Sequence, residues 1–167
     1  MNKTAVFPGS FDPFTIGHES IAKRASELFD KIIIAVGYNL NKQGYFPIDI
    51  RMKWISQVFE NYSNIEVGKF TGMTVEFCKE NNASYLLRGL RTASDFEYER
   101  AVGQVNKALS ENIETVFLLT RPEHTFVQST IVRDVLINGG DGSKFLPKEI
   151  DLEEVRQVIR EKQSSKG

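Results

Sequence analysis

The sequence predicts a doubly wound α/β fold with five parallel strands in one domain. Three observations carry this. Five short apolar runs recur along the chain, segments with helical periodicity separate them, and the glycines, prolines and hydroxyl residues gather where each run stops. The runs are Thr4–Phe7, Ile32–Gly37, Ile65–Phe70, Tyr85–Arg88 and Thr115–Leu119. Each is short and rich in Ile, Val, Leu or aromatic residues, which suits strands buried on both faces of a parallel sheet.

The intervening segments read as helices. Ile21, Ala25, Leu28 and Phe29 share one face after the first run. Pro47 reads as a first helical residue, followed by a stripe of Met52, Ile55 and Phe59. Val75–Cys78 is a short helix for which Thr74 is a candidate N-cap. Tyr98, Ala101, Val102, Val105, Ala108 and Leu109 form the strongest stripe in the chain, with Ser94 as N-cap and Glu97 as its capping-box partner. Ile131, Val132, Val135 and Leu136 repeat the pattern before Gly139-Gly140 ends it, and a last helix runs from Leu152 to about Lys162. The expected domain is residues 1–162, with a polar tail at 163–167.

Composition narrows the function. The 167 residues are 41% apolar and 26% charged, an ordinary globular balance. Twenty-one basic and twenty-two acidic side chains nearly cancel, which argues against a general nucleic-acid partner. The longest apolar runs are too short to span a bilayer, and the N-terminus carries no secretory signal pattern, so no membrane association is expected. Cys78 is the only cysteine, which excludes an intrachain disulfide and fits a reduced, cytoplasmic setting. Cys78 itself reads as a small buried hydrophobe.

Ligands of such sheets bind beyond the carboxyl ends of the strands. The first such loop is Pro8-Gly9-Ser10-Phe11-Asp12-Pro13-Phe14-Thr15-Ile16-Gly17-His18. Gly9 and Gly17 remove side chains where a ligand could approach the backbone. A helix that starts near His18 offers free N–H groups to an anion, and His18 and Ser10 can add a ring N–H and a hydroxyl. The loop has neither the Gly-Lys-Ser/Thr of a Walker A loop nor a Gly-x-Gly-x-x-Gly dinucleotide fingerprint. The fourth run leads into Leu87-Arg88-Gly89-Leu90-Arg91, whose two guanidinium forks suit phosphate oxygens. After the fifth run, Ser129 or Thr130 opens another helix and presents a second set of N–H donors.

Thr15-x-Gly17-His18 resembles the T/H-x-G-H signature of the nucleotidyltransferase superfamily. Pro8 to Pro13, and the string Arg88-Gly89-Leu90-Arg91 with Asp95-Phe96-Glu97-Tyr98-Glu99, resemble two signatures of the bacterial phosphopantetheine adenylyltransferase family. Ser129-Thr130-Ile131-Val132-Arg133 is similar to the superfamily's last element. There are two departures: Gln128 stands where a serine is usual, and His124 where a tryptophan or tyrosine is frequent.

The resemblance implies a Rossmann-like nucleotidyltransferase fold and a defined site. His18 would be the catalytic group, stabilising the transition state. ATP would be bound by Ser10, Phe11, His18, Gly89, Leu90, Arg91, Glu99, His124, Thr125, Phe126, Val127, Gln128, Ser129 and Thr130. The second substrate, 4′-phosphopantetheine, would be bound by Ser10, Lys42, Thr74 and Arg88. The implied reaction is adenylyl transfer from ATP to 4′-phosphopantetheine, giving dephospho-coenzyme A and pyrophosphate in coenzyme A biosynthesis. Mg²⁺ would enter with ATP rather than at a metal site of the protein's own. A cytoplasmic homohexamer, with possible feedback by coenzyme A, completes the expectation.

No Ser–His–Asp order or reactive thiol is evident, so direct displacement is favoured over a covalent intermediate. The acceptor phosphate is already anionic and needs no strong general base. Two alternatives stand beside this reading. One is another nucleotidyltransferase, such as a nicotinamide mononucleotide adenylyltransferase. The other is a non-catalytic nucleotide-binding module.

Overall fold

A computed structural model describes residues 3–38 and 44–165. The expected sheet forms: five parallel strands in the order β3-β2-β1-β4-β5. They are β1 (Thr4–Gly9), β2 (Lys31–Gly37), β3 (Ile65–Phe70), β4 (Tyr85–Leu90) and β5 (Glu114–Leu119). The helices are α1 (Ile16–Ala25), α2 (Ile48–Val58), α3 (Thr74–Glu80), α4 (Ala93–Leu109), α5 (Ser129–Ile137) and α6 (Leu152–Ser164). Alternate residues of β2 feed two cores. Ile32, Ile34 and Val36 join α1, α2, α5 and α6 in the larger one, while Ile33 and Ala35 meet Val75 and Cys78 of α3 in the smaller.

Several boundaries differ from the sequence reading. β4 continues to Leu90, so Arg88 lies within the strand rather than at its end. Pro47 is the N-cap of α2, not its first helical residue, with an extended ψ of 146°. Thr74 opens α3 behind Met73 as N-cap. α4 is capped by Thr92, whose hydroxyl accepts from the Asp95 N–H at 3.1 Å, not by Ser94 with Glu97. α6 continues to Ser164, into the stretch expected to be a polar tail, and Lys162 donates to the Gly44 and Tyr45 carbonyls.

The largest correction concerns α4. Most of its apolar stripe faces away from the sheet, Val102 excepted: Val105 is 58% exposed and Leu109 52%, and Tyr98, 70% exposed, reaches only the rim of a groove. The opposite face carries Glu99, Val102, Gly103 and Asn106, which line a groove with Leu86 of β4 and Thr115 of β5. A Cβ at Gly103 would come within 3.3 Å of the Thr115 side chain, so glycine sets the approach of α4 to β5. Periodicity shows that a helix has an apolar face but not what that face meets.

The sheet also opens where the site must be. β1 pairs with β4 only through Ala5↔Tyr85 and Val6↔Leu86, whereas its pairing with β2 continues to Gly9↔Val36. Pro8 has no N–H to extend the ladder toward β4. Its carbonyl instead accepts from Arg88 Nη1 at 3.0 Å. The two strands part at the point where strand order reverses, the usual place for a ligand crevice.

Candidate active site

A cleft of about 370 Å³ occupies that gap. Two helix N-termini meet across it, that of α1 with Thr15, Gly17 and His18, and that of α5 with Gln128, Ser129 and Thr130. Both direct unsatisfied N–H groups and positive dipole ends at one space, which favours an anion. Arg88 and Arg91 add two guanidinium groups from the β4 side.

The first loop is held from several directions. Phe11 has φ of +46°, a conformation uncommon for a bulky residue, and its ring is buried beside Gly9. A Cβ at Gly9 would lie 2.8 Å from that ring, so glycine is required there. Asp12 is buried, and its carboxylate accepts from the N–H groups of Tyr45 and Phe46, each at 2.8 Å. Arg133 of α5 donates to the Asp12 carbonyl at 2.6 Å and to its carboxylate at 3.2 Å. The Ser129 hydroxyl donates to the Pro13 carbonyl at 2.9 Å. The hydroxyl of Ser129, a residue expected among the ATP-binding ones, therefore ties α5 to the loop.

His18 is fixed in one tautomer. Its Nδ1 accepts the Thr15 N–H at 3.1 Å and lies 3.1 Å from the Thr15 hydroxyl. Nδ1 therefore carries the lone pair, Nε2 carries the proton, and Nε2 is the nitrogen left for the cleft. Its pKa is lowered from 6.5 to about 4, first by burial of the ring and then by the charge of Arg91. Phe11 and Phe14 pack around the ring with centroids at 5.1 and 5.3 Å. The group is a neutral, oriented N–H donor near pH 7 rather than a proton shuttle.

Both arginines have carboxylate partners on α4. Arg88 makes a bidentate pair with Glu99 through Nε at 2.7 Å and through Nη2. Arg91 donates from its Nε and its backbone N–H to Asp95, both at 3.1 Å. Glu99 is thus an ion-pair partner rather than a solvated helix residue. Asp95 and Thr120 also line the cleft, although the sequence marked neither as a site residue. Asp95 could have been suspected, since it stands four residues after Arg91 at a helix start.

Most expected site residues converge here: Ser10, Phe11, His18, Arg88, Gly89, Arg91, Glu99, Val127, Gln128, Ser129 and Thr130 line the cleft. Gly89 also allows close packing, because a Cβ there would meet Ile21 of α1 at 3.2 Å. Thr74 borders an adjoining groove of about 140 Å³ that shares Pro8, Arg88 and Glu99 with the cleft. Leu90 is buried at the end of β4, and Leu90, Thr125 and Phe126 fall outside the lining. His124 lies instead in a separate hollow with Lys23, Arg24 and Arg121. Lys42 lies outside the described residues. Cys78 is fully buried, and burial pushes its thiol up to about 12.

Fold and cleft together have the character of a nucleotidyltransferase, and residues 6–135 match the cytidylyltransferase-like family model. The chain is 50% identical over 150 residues to the phosphopantetheine adenylyltransferase of Cytophaga hutchinsonii, covering 90% of this chain and all of the relative. It is 44% identical over 160 residues to that of Clostridium botulinum, covering 96% of this chain and 97% of the relative. A putative nicotinate-nucleotide adenylyltransferase from Vibrio parahaemolyticus has a similar fold, with a TM-score of 0.68 at 21% identity over 96% of this chain and 99% of that one. The chain belongs to the phosphopantetheine adenylyltransferase family, whose members are nucleotidyltransferase enzymes.

Proposed function

We propose that this enzyme transfers the adenylyl group of ATP to 4′-phosphopantetheine, giving dephospho-coenzyme A and pyrophosphate by direct displacement. The observation that carries this reading is the convergence of two helix N-termini, His18, Arg88 and Arg91 on one cleft in a chain of this family. A phosphate oxygen of the acceptor attacks the α-phosphorus of ATP. The bond from that phosphorus to the bridging oxygen breaks, and pyrophosphate leaves with its electron pair. The Nε2–H of His18 stabilises charge on the reacting phosphate, while Arg91 and the helix N-termini hold the triphosphate.

Arg88 takes the acceptor phosphate in its fork, in exchange with or beside Glu99. The pantetheine arm then lies along the groove of Thr74, Tyr98, Val102 and Asn106. Lys42 is the further cation for the acceptor.

Mg²⁺ would enter with ATP and would supply neutralisation of the phosphate charge beside Arg91 and the helix N-termini. Among the described residues, no group of three or more His, Cys, Asp or Glu side chains is placed to hold a metal.

The reading extends to a cytoplasmic homohexamer with feedback by coenzyme A. Among the described residues, no helix is long and apolar enough to cross a membrane. The exposed α4 stripe, together with Leu119 at 72% exposure on the edge strand β5, is the kind of apolar surface that a second copy covers. A pyrophosphate-release assay with ATP and Mg²⁺ tests the reaction. Turnover with 4′-phosphopantetheine well above that with nicotinamide mononucleotide is expected, equal or better turnover with the latter overturns the acceptor, and binding without turnover indicates a non-catalytic module.

A further inference from the structure

We infer that Arg51 is a positioning residue of the adenylyl-transfer site: from outside the cleft it holds the Ser10 carbonyl and so directs the Phe11 backbone N–H toward bound phosphate. The inference rests on the cleft's being the phosphate site proposed above.

Arg51 is the fourth residue of α2 and only 3% exposed. Its Nε donates to the Phe46 carbonyl at 2.9 Å, and its Nη1 donates to the Ser10 carbonyl. Burial pulls its pKa down, and the neighbouring Asp12 carboxylate opposes that pull. A buried guanidinium carries a desolvation penalty, opposed here by two backbone carbonyls and the Asp12 carboxylate. An apolar residue packed with Trp54 and Ile55 would hold α2 in place without that penalty. What an apolar residue cannot do is grip the first loop.

The grip has a directional consequence. Among the described residues the only cis peptide is Asp12–Pro13, so the Ser10–Phe11 peptide is trans. In a trans peptide the C=O and N–H point in opposite directions. Arg51 takes the carbonyl on the α2 side, in an adjoining hollow beside Tyr45 and Arg133 that Ser10 also lines, while Phe11 lines the cleft and not that hollow. The Phe11 N–H therefore points to the cleft side, and it has no hydrogen-bond partner among the described residues. Phe11 also has φ of +46°. Rotation of the Ser10–Phe11 peptide plane would relieve that conformation and turn the N–H away. The bond from Arg51 opposes the rotation.

The test is Arg51→Lys, which keeps the charge but replaces the planar fork, whose separate Nε and Nη1 reach Phe46 and Ser10, with a single nitrogen. In the ¹⁵N-labelled wild type, the Phe11 amide resonance is expected to move when Mg-ATP is added. In Arg51→Lys that response is expected to be lost. ATP affinity and kcat should fall by up to about 100-fold, with phosphopantetheine binding by calorimetry changed less. Ile55→Val, a nearby α2 core change outside the site, is expected to lower the melting temperature yet keep the Phe11 response. Arg51→Gln, an uncharged donor to one carbonyl, serves if the lysine variant does not fold.

A Phe11 amide that responds to ATP in Arg51→Lys as in wild type overturns the inference. So does an Ile55→Val variant that reproduces the loss. A wild-type enzyme that turns over normally with a silent Phe11 amide overturns it while leaving the proposed function intact. Absence of wild-type turnover with 4′-phosphopantetheine defeats the proposed function instead, and the ATP titration of Phe11 still decides the role of Arg51.

Discussion

Replacing His18 separates the proposed catalytic donor at Nε2 from the cap that Nδ1 provides. Nδ1 accepts the Thr15 N–H at 3.1 Å, and Nε2 is the donor left for the cleft. His18→Ala removes both functions and some ring contact with Phe11 and Phe14. Loss of the cap should lower stability by about 1 kcal/mol. Loss of one preorganised donor to a reacting phosphate should lower kcat by roughly 100- to 1,000-fold, with ATP binding changed far less. His18→Asn retains an acceptor for Thr15 and an N–H for the cleft, so it should recover stability and part of the rate. The pH dependence gives an independent check. The native pKa of about 4 lies below the ordinary 6.5, so the unfolded chain binds a proton that the folded one refuses between these values. That contribution to stability is complete above pH 6.5 and lost as pH falls toward 4, to at most about 3 kcal/mol. His18→Ala should flatten this acid slope, and wild-type kcat should show no limb near pH 6.5 from His18. A melting curve measured beside steady-state kinetics decides the matter. A lower melting temperature with near-normal turnover in His18→Ala would refute the donor role.

Three further outcomes are expected. Arg88→Lys loses the bidentate fork and should weaken 4′-phosphopantetheine binding by roughly 1.5–3 kcal/mol, with a smaller effect on ATP; calorimetry showing the reverse order would mean that the two substrates are assigned to the wrong arginines. Cys78, fully buried with its thiol pushed up to about 12, should resist iodoacetamide in the native protein and react on unfolding, which mass spectrometry reads directly. Val105→Glu, in the middle of the exposed α4 stripe, should reduce the particle mass seen by light scattering without altering the far-ultraviolet circular dichroism. An unchanged mass would exclude that stripe as a contact between copies.

The strand–helix alternation, the strand count and the ligand-binding ends of the strands were all legible in the sequence. Each depends on short-range regularities, the apolar runs of the strands and the 3.6-residue period of the helices, with loop chemistry concentrated after each strand. The first loop and the paired arginines were legible for the same reason, since glycines, a histidine at a helix start and guanidinium forks carry their chemistry locally. What only the tertiary structure decided lies between distant segments. The direction of the α4 stripe depends on which helix face the sheet accepts, and Glu99 and Gly103 claim the inner face through Arg88 and Thr115. The partners of Asp12 come from residues 45, 46 and 133, and Arg51 reaches back 41 residues to Ser10. None of these pairings leaves a period or a motif. Buried charged groups such as Asp12 and Arg51 find their partners only in three dimensions, because leaving a charge unpaired in the interior costs a large part of a fold's net stability.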